Sequence, residues 1–177
     1  MSESPVNEKN HDLRCVLKFS LFVVLWSVSV IPVGSFIYAL VSYFVPYVAV
    51  SLATLFSMVV LNGCGVIWWA KRTDFRSQTG IVIAALVLGV WSFYLSWVSW
   101  IWILNEFWSE GLIFDPRRLG KVIYFLATEN LRTLGERPIK SYEQCIYWTL
   151  EAIVLIFEPV AVVLSERKKR SVRRTAV

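Results

Sequence analysis

Between Lys18 and Lys71 the chain runs for 52 residues without a charged side chain, whereas about 20 apolar residues suffice to cross a hydrocarbon core once. A soluble fold of this size could not keep such a stretch out of water. Two membrane spans fit it. The break between them is expected at residues 42–47, where Pro46 disfavours continuation of the preceding helix and Tyr43 and Tyr47 suit a headgroup boundary. The first span is therefore read over 19–42 and the second over 46–70. A further charge-free run, 29 residues between Arg76 and Glu106, holds a third span over 79–104. A fourth apolar stretch, 144–165, differs in carrying Glu151 and Glu158 in its interior.

Composition agrees: 56% of the 177 residues are hydrophobic, and the 18% that are charged gather into blocks. The fold class expected is an all-α membrane protein with four transmembrane helices and an amphipathic interfacial helix between the third and fourth. Residues 1–18 form an N-terminal tail, disordered over 1–15. Residues 19–165 form the transmembrane domain, and 166–177 a basic tail. Lys18 followed by Phe19 to Ile31 and by Pro32, Val33, Gly34 and Ser35 imitates a signal peptide, but the apolar run continues past that point. It reads as an uncleaved span with a kink at Pro32.

With four spans, the side holding both termini and the second loop carries 12 Lys and Arg residues, against none in the first loop and six in the third. That side is expected to be cytoplasmic, and the setting a bacterial inner (plasma) membrane. The same tails account for the pI of about 9.2 without any nucleic acid. Arg167, Lys168, Lys169, Arg170, Arg173 and Arg174 read as a topology anchor against anionic lipid headgroups.

In the third loop, Asp115 is placed as an N-cap with Pro116 at the first helical position. Leu119, Val122, Ile123, Leu126 and Leu134 then fall on one helical face opposite Arg118, Lys121 and Glu129. An amphipathic helix over 116–133 follows, lying in the outer interface or capping the bundle, and ended by Gly135 and Pro138. In span three, Ala85, Gly89, Ser92, Ser96 and Ser99 recur at spacings of four, three, four and three, a stripe of small residues suited to close helix packing. Asn62, Gly63, Cys64 and Gly65 in span two read as a close helix contact.

Gln144, Glu151, Glu158 and Ser165 lie seven apart, which puts them on one face expected to point into the bundle. About eleven apolar residues worth roughly 0.3–0.6 kcal/mol each barely offset two carboxylates at roughly 2.5–3.5 kcal/mol apiece, so this span should insert poorly alone. Asn62 and Glu158 are expected at one level, about 10–12 Å from the inner boundary. The depth predicts a hydrogen bond between them, with Glu158 protonated at least part of the time. Asn62, Gln144, Glu151 and Glu158 are the candidate intramembrane polar site.

Little else carries chemistry. His11 is the only histidine and lies in the tail, and Cys15, Cys64 and Cys145 show no paired spacing. No HExxH, GxSxG, Walker loop or glycine-rich phosphate fingerprint is present. No enzymatic activity, cofactor or metal is expected. The reading that follows is a non-enzymatic membrane accessory or interaction protein: an assembly factor, an immunity-type protector, or a complex subunit. Its partners are the lipid bilayer and a protein or a second copy in the membrane. The alternative is a proton- or cation-coupled small transporter or channel subunit using Glu151 and Glu158.

Overall fold

The computed structural model describes residues 5–45, 48–104, 115–128, 133–134, 137–138 and 141–175, with side-chain surroundings over 12–45, 50–104, 115–125 and 145–166. Five helices and one short strand pair are found there: α1 (Pro5–Phe44), α2 (Val48–Arg72), α3 (Gln78–Leu104), α4 (Pro116–Thr128), β1 (Thr133–Leu134), β2 (Arg137–Pro138) and α5 (Ser141–Thr175). Four helices are long and apolar enough to cross a membrane, over Asp12–Phe44, Val50–Arg72, Gln78–Leu104 and Cys145–Glu166. The surface outside the bundle is apolar at helical spacing, as at Leu21, Val24, Leu25 and Val28 of α1 and at Leu150, Ile153 and Phe157 of α5. A water-soluble bundle keeps polar residues on that face; lipid reverses the demand.

One tail differs from expectation, and the other, for which no secondary structure was expected either way, is helical as well. The polar segment read as disordered is helical from Pro5 onward, and the basic segment after 165 continues α5 to Thr175. Each extends a helix already formed, so neither has to pay for nucleation. α1 also runs through Pro32 without interruption. The helix read over 116–133 ends at Thr128, because Thr133 and Leu134 pair antiparallel with Pro138 and Arg137. Leu134 therefore sits in an extended strand and not on a helical face.

α1 packs on α3 and α2, α5 packs on α3 and α2, and α2 meets α3 across the middle, leaving α1 and α5 on opposite corners. α3 is the most enclosed helix. At one end, Phe19 of α1 stacks on Phe75 with centroids 4.2 Å apart, and Lys71 reaches Glu166 at 3.0 Å. At the other, Ala39, Trp97, Ile101, Ile103, Trp148 and Leu119 form one buried cluster. The bundle is thus up-down-up-down, with Leu119 of α4 packed into the cluster at the second end.

Local chemistry sets the turns. α2 ends with Thr73 N donating to Trp69 O and Phe75 N to Ala70 O, and Asp74 takes the left-handed conformation with φ 52°. This is the helix-ending geometry in which residues past the last turn satisfy its carbonyls. Ser77 then opens α3, its hydroxyl accepting from Gly80 N at 3.2 Å. Asp115 Oδ1 accepts from Arg117 N and Arg118 N at 3.1 and 3.0 Å, so the cap expected from the sequence forms at the start of α4.

Candidate functional site: two polar layers in the bundle

Of the two layers, labelled inner for the one nearer the α2–α3 turn and outer for the one at the opposite end of the bundle, the inner centres on Asn62, which is 1% exposed. Its Oδ1 accepts from Trp26 Nε1 of α1 at 3.0 Å, and its Nδ2 donates to Ser92 Oγ of α3 at 3.0 Å. The Ser92 carbonyl in turn accepts from Ser96 Oγ at 2.8 Å and from Ser35 Oγ of α1 at 3.4 Å. Three helices are joined through one amide and one serine. The expected hydrogen bond from Asn62 to Glu158 does not form, because both ends of the amide are taken by α1 and α3.

The level was right and the face was not. Gly63, one residue on and turned by about 100°, is the residue that meets α5: a Cβ there would lie 2.9 Å from Val162 and 3.3 Å from the Pro159 carbonyl oxygen. Gly65 likewise abuts the Trp26 ring, at 2.8 Å from its added Cβ. In α3, Ala85, Gly89, Ser92 and Ser96 are buried and Ser99 is half-buried. A Cβ on Gly89 would come within 2.7 Å of Leu155 O and 2.9 Å of Ile156 O, so the α5 backbone lies directly on this position.

Glu151 and Glu158 are half-buried rather than central. The inward seam of α5 is Trp148, Leu155, Pro159 and Val163, and each carboxylate sits three residues after a seam residue, about 60° to one side. The expected inward polar face is met in part: Glu151 lines a cleft with α1 and α3, whereas Glu158 sits beside the seam and Ser165 is exposed. At the end that holds the α2–α3 turn, the Lys71 ion pair goes to Glu166 and not to Glu151 or Glu158. The side chains of Gln144, Arg167, Lys168, Lys169, Arg170, Arg173 and Arg174 lie outside the described set, although all seven positions are helical in α5.

The outer layer is a cleft of about 10 Å³ lined by Tyr38 and Ser42 of α1, Ser96, Trp97 and Trp100 of α3, and Glu151 of α5. Trp97 packs edge-on against Trp148 with centroids 4.7 Å apart. Ser42 Oγ, Trp97 Nε1 and Trp148 Nε1 are buried and have no hydrogen-bond partner among the described residues. Leu119 of α4 belongs to the same cluster as Trp97, Trp100 and Trp148, so α4 contacts this end of the bundle.

Trp26, Ser35, Ser42 and Trp97 are members of these layers that the sequence did not single out. With nine tryptophans in the chain, only packing decides which indole meets Asn62. Cys15, Cys64 and Cys145 form no disulfide. Among the described residues no three His, Cys, Asp or Glu side chains converge as a metal site would require. No protein-family model, curated protein or solved structure matches the chain.

Proposed function

We propose that the chain is a non-enzymatic multi-pass membrane accessory protein that binds a protein partner or a second copy of itself through α4. The observation that carries this reading is the division of α4 into two faces. Leu119 is buried in the bundle cluster, and Val122 and Ile123 pack against it. Arg117, Arg118, Lys121, Tyr124 and Phe125 fall within about 120° on the opposite side, and all five are exposed.

Arginine and tyrosine are enriched where protein interfaces concentrate their energy. A face with three cations and two aromatic rings suits an acidic, partly apolar partner surface. An assembly factor, an immunity-type protector and a subunit of a larger complex all need such a surface and no catalytic group. The same reading places both termini in the cytoplasm of a bacterial cell, with the protein in the inner (plasma) membrane and α4 on the outer side.

Site-specific photo-crosslinkers at Tyr124 and Phe125 of the full-length protein in its own membranes test it. A discrete protein adduct is expected, lost when Arg117, Arg118 and Lys121 are replaced by Glu. Adducts to lipid alone, or adducts insensitive to the charge reversal, would overturn it. A second reading, a proton- or cation-coupled transporter or channel subunit using Glu151 and Glu158, is favoured by one observation: Glu151 lines the outer cleft.

A further inference from the structure

The two polar layers differ in how they are satisfied. In the inner layer the Asn62 carbonyl and amide, the Ser35 and Ser96 hydroxyls and the Trp26 indole all have protein partners. In the outer layer Trp97, only 4% exposed, turns its ring to a cleft where its Nε1 meets no acceptor among the described residues, and Ser42 Oγ is in the same condition. Buried donors left alone are costly, and polar cavities of this kind hold water.

The chemistry of the lining narrows the occupant. An indole N–H can only donate, so the occupant must accept; a carboxylate can only accept, so beside Glu151 it must also donate. A bare cation fails the first condition and a halide the second. A volume of about 10 Å³ admits one water and no organic molecule. We propose that the cleft is a single-water site. The water accepts from Trp97 Nε1, donates to the Glu151 carboxylate and takes Ser42 Oγ as its third partner. Through it Glu151 exchanges a proton with the outer side: carboxylate and hydronium give carboxylic acid and water, and the reverse step returns the proton.

Among the described residues, the groups that line the cleft with Glu151 come from two helices. α1 contributes Tyr38 and Ser42, α3 contributes the uncharged Ser96, Trp97 and Trp100, and α2 supplies none of the lining. The cations of α4 are exposed on its far side, and Glu158 lies two turns away on α5. Among the described lining residues Glu151 is the one carboxyl.

The test uses the full chain in phosphatidylcholine nanodiscs with ¹⁵N-labelled tryptophan. The Trp97 indole resonance, assigned by its loss in Trp97→Phe, should show cross-relaxation with water and should move as pH is lowered. Glu151→Gln should abolish the movement and keep the water signal, whereas Glu158→Gln should change neither. In infrared titration, a protonated-carboxyl band should vanish in Glu151→Gln. Ser42→Ala should displace its midpoint by about tenfold in proton concentration. Absence of water cross-relaxation at Trp97, or a pH response that survives Glu151→Gln, would overturn the proposal. If Glu151→Gln does not fold, Glu151→Asp must displace the midpoint, and an unmoved midpoint overturns it equally.

Discussion

A methyl group at Gly89 would sit 2.7 Å from the Leu155 carbonyl oxygen, and its obstacles are backbone atoms that cannot swing aside. The contact has a covalent origin. Pro159 has no N–H, so the Leu155 carbonyl lacks its usual donor four residues on and is left facing the α3 backbone. Close approach to the Gly89 Cα offers it a weak C–H···O contact. Gly89→Ala should cost about 1–3 kcal/mol as the helices are pushed apart, read as a lower unfolding midpoint in a denaturing-detergent titration. Asn62→Ala should cost about 0.6–1.7 kcal/mol in the same assay. Its double-mutant cycle with Trp26→Phe should be non-additive, and that with Glu158→Gln additive. The sequence marks Asn62 because an amide in a 52-residue uncharged run is conspicuous. Its depth also follows from counting residues. Its partner does not, since a helix turns by about 100° per residue and one sequence says nothing of how two helices are rotated against each other.

At the scale of elements, charge gaps located the spans well: α2 and α3 start and end within a few residues of the expected 46–70 and 79–104. Asp115 and Pro116 likewise fixed the start of α4. Less legible were the segments whose state depends on what they continue. Residues 5–18 and 166–175 are too polar to be helical by burial, and they are helical because a long apolar helix templates them. Asp115→Ala should remove about 1 kcal/mol of capping and raise amide exchange in the first turn of α4. Val122→Asp with Ile123→Asp should strip that helix from the bundle and expose it to protease. Unchanged cleavage would mean that Leu119 alone holds it.

For the whole molecule, the up-down-up-down arrangement puts the start of α1, the end of α5 and the α2–α3 turn at one end. Reporter fusions after Arg76 and after Val177 should both read as cytoplasmic, and one near Glu136 as the opposite side. Agreement of all three checks the four-span topology, and a cytoplasmic signal near Glu136 removes it. α1 has 40 residues and α5 has 35, about 60 and 52 Å of helix against a hydrocarbon core of about 30 Å. The excess on each stands at the terminal end as an uninterrupted continuation of the span, with no loop to absorb rotation. A load that tilts either stalk therefore acts as a lever on the packed helices, and the Trp26–Asn62–Ser92 junction and the Gly89 crossing lie where that leverage is received.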